Sequence, residues 1–179
     1  MQSTSNVNRA HDALGLLVQC RPGFEADAGQ ELQASAARLA GRLQSQPQSG
    51  FVFLALDAPQ PHDELRRRLD TSRLVFARQS FQVLAVIDDL PERDRLTPLV
   101  ERIEAFNERF SAILLETPDT NAGKEQSGFL HRFGPLLEEA LVKSGKLRVD
   151  SPHLPRLHAF FVGNRQVWLG LSLASEGSA

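Results

Sequence analysis

Apolar residues recur along the chain with two periods, and the switches between them mark out its elements. Leu14 to Val18 is a continuous apolar run with the length of a buried strand. It follows a polar, aperiodic opening over residues 1–13 that reads as a loose arm. Beyond Arg21-Pro22-Gly23, the residues Phe24, Ala28, Leu32, Ala36 and Leu39 recur at helical spacing, and Gly41 stands where a C-terminal cap belongs. The polar stretch 44–50 reads as a loop, and Phe51 to Leu56 as a second buried strand. Asp63 is positioned to cap a short helix through Leu69. Phe81, Val83, Ala85 and Ile87 then alternate as a strand.

Charges and a proline at Asp88 to Arg95 break the apolar pattern and mark a boundary near residue 90. After it, Thr97 and Pro98 read as an N-cap and first helical residue, ahead of the stripe Leu99, Ile103, Phe106 and Phe110. Ala112 to Leu115 is a short strand, and 117–128 a polar loop. Phe129, Phe133, Leu136, Leu137, Ala140 and Leu141 share a helical face, which ends at Gly145. Pro135 lacks the backbone donor a helix interior needs, so the spacing predicts a kink or two abutting helices. Leu157 to Val162, a Gly163-Asn164 turn, and Val167 to Leu173 read as a β-hairpin. Both units mix helices with short strands, so the class is α+β in two subdomains, 14–90 and 91–179.

At 179 residues, 41% hydrophobic and 23% charged, the chain is long enough to bury about 70% of its unfolded surface without a disulfide or metal staple. Cys20 is the single cysteine, so no internal disulfide forms. No apolar run is long enough for a membrane span and no secretory leader is visible; a reducing, cytoplasmic setting fits this pattern. The formal net charge of −2 argues against binding nucleic acid by bulk positive charge, so any such binding must be local.

The familiar catalytic signatures are missing: there is no Gly-rich phosphate loop, no Cys pair at metal spacing, no His-Glu-x-x-His and no Gly-x-Ser-x-Gly. The histidines lack a cysteine partner at ligand spacing, which disfavours a metal site. Cys20 next to Arg21 could be a nucleophile, but an isolated cysteine in an apolar strand is more often a small core residue. Arg66-Arg67-Arg68 lies on a short helix where adjacent side chains diverge, so the run reads first as a solvated face. His158 alternates with Leu157 and Ala159 and is read as half-buried or surface-facing. The loop 118–125 carries Lys124, one of only three lysines, and its Asp119 and Thr120 could equally form an Asx-turn or cap the next helix. Lys143 follows Glu139 by four residues, the spacing of a surface ion pair.

Several segments in order are distinctive: Cys20-Arg21-Pro22-Gly23-Phe24-Glu25, Leu74-Val75-Phe76-Ala77-Arg78-Gln79, Asp89-Leu90-Pro91, Pro118-Asp119-Thr120-Asn121 with Lys124-Glu125, and His158-Ala159-Phe160-Phe161-Val162. Together they resemble the N-terminal half of the bacterial RlmM family, 2'-O-ribose methyltransferases of a cytidine in 23S ribosomal RNA. The resemblance implies a ferredoxin-like subdomain (14–90) followed by a THUMP RNA-binding domain (91–179). It implies 23S ribosomal RNA and a C-terminal methyltransferase domain of the same parent as partners, with no membrane. S-adenosylmethionine would belong to that further domain, leaving this chain with no cofactor and no catalysis of its own. Gln126-Ser127-Gly128 departs from the family in being less helix-favouring. With phosphate held by cations and bases by polar groups, the RNA-binding residues expected on this reading are Asn121, Lys124, Arg132, Arg156 and His158. Two rivals remain at this stage: a protein-interaction module that docks on a catalytic partner, and a small-molecule enzyme built on Cys20.

Overall fold

A computed structural model describes residues 12–173. The first unit runs β1 (Asp12–Gln19), α1 (Glu25–Ser35), β2 (Gly41–Ser45), β3 (Phe51–Pro61), α2 (His62–Arg68) and β4 (Gln79–Ile87). The second runs α3 (Leu96–Glu104), β5 (Ala112–Glu116), α4 (Asn121–Glu125), α5 (Ser127–Lys143), β6 (Arg156–Val162) and β7 (Gln166–Ser172). Strands of the first unit pair antiparallel in the order β2-β3-β1-β4, the ferredoxin-like βαββαβ arrangement. The sheet does not stop there. β4 pairs antiparallel with β7, β7 with β6, and β6 parallel with β5, so one seven-stranded sheet passes through both units.

One face of the sheet is covered by helices. Leu16 and Val18 of β1, Val52 and Leu54 of β3, and Ala159 and Leu169 of the β6-β7 hairpin pack there with Leu32 of α1, Leu65 of α2, Ile103 of α3 and Leu137 of α5. The opposite face carries a separate cluster of Leu17, Phe53, Phe81, Val83, Phe160 and Trp168. Gly170 is required on that face, since an added Cβ would lie 2.4 Å from the Phe81 ring and 2.0 Å from the Gln82 carbonyl oxygen.

Several sequence expectations are corrected. Asp12 and Ala13, assigned to the arm, already pair with Pro61 and Gln60 in the sheet; the rest of the arm lies outside the described residues. Helix α1 stops at Ser35, and Gly41 opens β2 instead of capping the helix, because its pairing brings the Ala55 carbonyl to 2.6 Å from where a Cβ would stand. At the start of α3 the Asp94 carboxylate, one residue ahead of the cap position Arg95, accepts the Thr97 N–H at 3.1 Å; Thr97 is inside the helix. Phe110 has left that helix and bridges to Leu147. Asp63 sits in the first turn of α2 without a capping bond. Part of the expected loop 117–128 is helical: Thr120 caps α4 by accepting the Gly123 N–H at 2.9 Å. Helix α5 runs unbroken through Pro135, which lies on its exposed side where the freed His131 carbonyl can meet water. Its end agrees with the spacing, with Gly145 at φ +77°.

Candidate nucleic-acid interface

Four cations follow one another: Arg66 on α2, Arg156 at the start of β6, Arg78 just before β4, and Lys124 on α4. Arg66 and Arg156 line one cleft of about 230 Å3, together with His62 and His153. Arg156 and Arg78 line the next, of about 200 Å3. Arg78 donates to Asp119 at 2.5 Å, and the same carboxylate holds the Lys124 ammonium at 3.7 Å. Of the run 66–68, only Arg66 lines the cleft; Arg67 donates to the Asp63 carbonyl at 3.3 Å and Arg68 pairs with Glu64. The arrangement concentrates positive charge locally in a chain whose net charge is slightly negative, and lets guanidinium forks meet anionic oxygens in concave surroundings.

Beneath this row lies a partly buried polar chain, with His158 and Gln19 buried and Glu116 and Ser172 half-buried. His158 Nδ1 and Glu116 Oε1 are 2.5 Å apart, His158 Nε2 and Ser172 Oγ are 2.7 Å apart, and Gln19 donates to the other Glu116 oxygen at 2.6 Å. The imidazole stacks on Phe81 with ring centroids 4.9 Å apart and an interplanar angle of 9°. This corrects the expectation of a half-buried or surface-facing histidine, because its side chain is only 2% exposed. Alternation does put it opposite Leu157 and Ala159, but the opposite face is itself buried. His158 lines the cleft shared by Arg156 and Arg78 but exposes almost none of its ring; it ties β6, β5 and β7 together two residues from Arg156.

Glu25 explains the first distinctive segment. Its carboxylate accepts the Gly23 N–H at 3.0 Å and the Gly50 N–H at 3.0 Å. Burial raises its pKa, but the backbone donors of Gly50 and Gly23 outweigh that effect and hold it below the usual carboxylate range. Gly50, at φ +80°, abuts Asp119 and Pro118, so this anchor supports the loop that carries Lys124. Burial pushes the Cys20 thiol up to about 11, with the Glu25 charge adding to it. The thiol is thereby held in its neutral form at neutral pH, which disfavours it as a nucleophile.

Among the residues expected from sequence, Lys124 and Arg156 join the row. Asn121 lies beside it, lining a shallow recess with Asp119 and Gln48. Arg132 is exposed on α5 and lines none of these clefts. Lys143 pairs with Glu139 at 3.0 Å, the surface ion pair its spacing predicts. Arg66 and Arg78 were missed as site residues; the available signal was the presence of Arg78 in a distinctive segment. Among the described residues no group of three or more His, Cys, Asp or Glu is placed to hold a metal. No described helix is long and apolar enough to cross a membrane. Two of the four strand-to-helix connections among the described residues carry a glycine whose N–H is already engaged. At the first, the Gly23 N–H is taken up by Glu25, and at the second the Gly123 N–H is taken up by Thr120.

The ferredoxin-like order, continued on the same sheet by a second α/β unit, defines the class as an N-terminal module of the ferredoxin-like plus THUMP-like kind. Its fold is shared with TrmN from Thermus thermophilus, at a TM-score of 0.56 and 18% identity over 90% of this chain and 46% of that one. The chain belongs to the ribosomal RNA large subunit methyltransferase M family: residues 14–81 match the RlmM ferredoxin-like domain, and residues 94–173 match the N-terminal domain of ribosomal RNA large subunit methyltransferase M. The enzyme of that name from Thauera aminoaromatica is 45% identical over 157 residues, covering 87% of this chain and 43% of the relative. The one from Azoarcus sp. (strain BH72) is 41% identical over 161 residues, covering 89% and 44%. That of Stenotrophomonas maltophilia (strain R551-3) is 43% identical over 153 residues, covering 83% and 42%. The chain thus spans less than half the length of these relatives.

Proposed function

We propose that this chain is the RNA-recognition half of an S-adenosylmethionine-dependent methyltransferase acting on a cytidine 2'-hydroxyl of 23S ribosomal RNA in the cytoplasm. It performs no chemistry itself. It holds RNA so that one ribose reaches a methyl donor bound by a C-terminal domain of the same parent, and such placement lowers a barrier by removing orientational freedom in advance. Residues 14–90 form the ferredoxin-like subdomain and 91–179 the THUMP domain. The observation that carries the reading is the contiguous row Arg66, Arg156, Arg78 and Lys124, a local cationic track on a chain of net charge −2. Asn121 contacts bases or 2'-hydroxyls beside it, and His158 acts from below by positioning the strand of Arg156.

A fluorescent 23S RNA fragment titrated at several salt concentrations tests this. Four phosphate contacts predict that log K falls with log salt with a slope of about −3 for single-stranded RNA. Absence of binding, or a flat salt response, overturns it. Arg132, off the track, is the control: Arg132→Ala leaves affinity unchanged if the track alone carries the phosphates. A protein-docking role has one observation in its favour. Phe24 and Phe76, 39% and 40% exposed, stack at 5.6 Å beside the 79% exposed Val75. Replacing all three with serine separates the readings, because RNA affinity of the chain then stays constant while a docking partner is lost.

A further inference from the structure

The largest cleft described, about 470 Å3, differs in chemistry from the cationic track beside it. Its walls are the β2-β3 loop, the β6-β7 turn, and α4 with the turn before it. In a chain that is 23% charged, none of the 15 residues lining this cleft carries a charge. A phosphate would find no counter-charge inside, whereas an uncharged planar group would find two kinds of partner.

The first is aromatic. Phe51, half-exposed, is the ring open to the cleft, and it meets the largely buried Trp168 edge-on with centroids 6.1 Å apart. The Trp168 indole is oriented by donating to Gln166 Oε1 at 3.1 Å, and Gln166 is in turn fixed by donating to Asp88 at 2.8 Å. The second is amide. Gln44, Gln46 and Gln48 are exposed along one wall, each with a carbonyl acceptor and an NH2 donor, the two functions that a nucleobase edge demands. Gln48 is held at φ +63° in the turn before Gly50, whose N–H Glu25 grips. The opposite wall contains Thr120, Ala122 and Gly123, and the next residue is Lys124. An uncharged pocket with aromatic and amide walls thus opens beside a cation of the phosphate track. Its volume lies in the range of about 300–1,000 Å3 typical of pockets that enclose small ligands.

We infer that this cleft takes a single unstacked nucleobase of the bound RNA, with the phosphate of that nucleotide at Lys124. Irregular RNA is read in this way, by splayed bases stacked on aromatic rings and hydrogen-bonded along their edges. The inference rests on the RNA-binding reading and adds to it a base subsite separate from the phosphate contacts.

Trp168 is the only tryptophan and the chain has no tyrosine, so intrinsic emission reports on this cleft directly. The intact chain is titrated with a mixed-sequence single-stranded decaribonucleotide and with an abasic ribose-phosphate strand of equal length, following Trp168 emission and, separately, anisotropy of an end label. The base-bearing strand is expected to quench Trp168 saturably and to bind at least about five-fold more tightly than the abasic strand. Ala122→Phe, which fills the cleft from an exposed position on α4, is expected to abolish the quench and the preference while keeping the salt slope. Equal binding of both strands without a change in emission overturns the base subsite and leaves the RNA reading standing. Binding of neither strand and no quenching by free nucleosides, in a chain with parental circular dichroism, overturns both. Quenching by free nucleosides without affinity for either strand upholds the cleft and overturns the RNA reading.

Discussion

The two faces of the sheet are built on different rules. The helix-covered face is mainly aliphatic, with fully buried Leu16, Leu169 and Leu137 drawn from a strand of each unit and from α5, and with Phe106, Phe110, Phe133 and Phe161 packed among them. The other face receives no helical residue into its cluster; it is closed by aromatic rings and by the Gln19-Glu116-His158-Ser172 chain of polar contacts. Aliphatic packing is non-directional and tolerates exchange of similar volumes, whereas a buried polar chain holds only if every member keeps its partner. The first face therefore supplies bulk stability, and the second fixes the geometry on which the cationic row stands.

Substitutions on the two faces should separate these roles, and the largest effect belongs to the helix side. Phe133→Ala removes a ring stacked on Phe129 at 5.1 Å and is expected to cost about 3–5 kcal/mol, read as a shift of the denaturation midpoint at constant slope. RNA affinity per folded molecule should not change. His158→Ala strips Glu116 and Ser172 of their partner and should cost about 2–3 kcal/mol. It should also lower RNA affinity in the fraction that remains folded; unchanged affinity there would remove His158 from any positioning role. Glu25→Gln comes next, at about 1–2 kcal/mol near neutral pH. Because the folded-state pKa of Glu25 is lowered, its contribution is complete above the ordinary carboxylate value and disappears as pH falls through the folded value. Parental stability should thus drop on acidification below about pH 4, and the variant should follow a flatter acid limb. The smallest effect on folding is Lys124→Ala, within about 0.5 kcal/mol, since its side chain is 71% exposed. Its signature is a salt slope shallower by about 0.7 for RNA, and Arg156→Ala should share that signature.

Elements with apolar runs were legible in the sequence because burial leaves a periodic trace. The strands around Leu16, Phe53 and Phe81 and the hairpin closed by Gly163-Asn164 all follow from it. β2 left no such trace: only Leu43 of Gly41–Ser45 is even partly buried, so an exposed edge strand looked like a loop. The five residues of α4 are too few to show a period, and only the capping residue Thr120 hinted at them. For His158 the alternation was read correctly and its consequence was not. The side of Arg156–Val162 that carries His158 also carries Phe160 and Val162, and the matching side of Gln166–Ser172 carries Trp168, so large apolar side chains on both sides point to burial on both. The cationic row was half legible. Lys124 and Arg156 stood out by type and position, but joining them to Arg66 and Arg78 depends on segments far apart in the chain being brought together.

The pairing of β4 with β7 sets an order of events during synthesis. β4 is complete at Ile87, but the strand that covers its open side begins at Gln166. Until the ribosome has delivered that last hairpin, the first unit exposes an unpaired edge containing Phe81, Gln82 and Val83, all buried once the sheet is closed. Such an edge is a template for pairing with another nascent chain. Any form of the chain that ends before Gln166 lacks β7 and keeps that edge open permanently, and its expected fate is association.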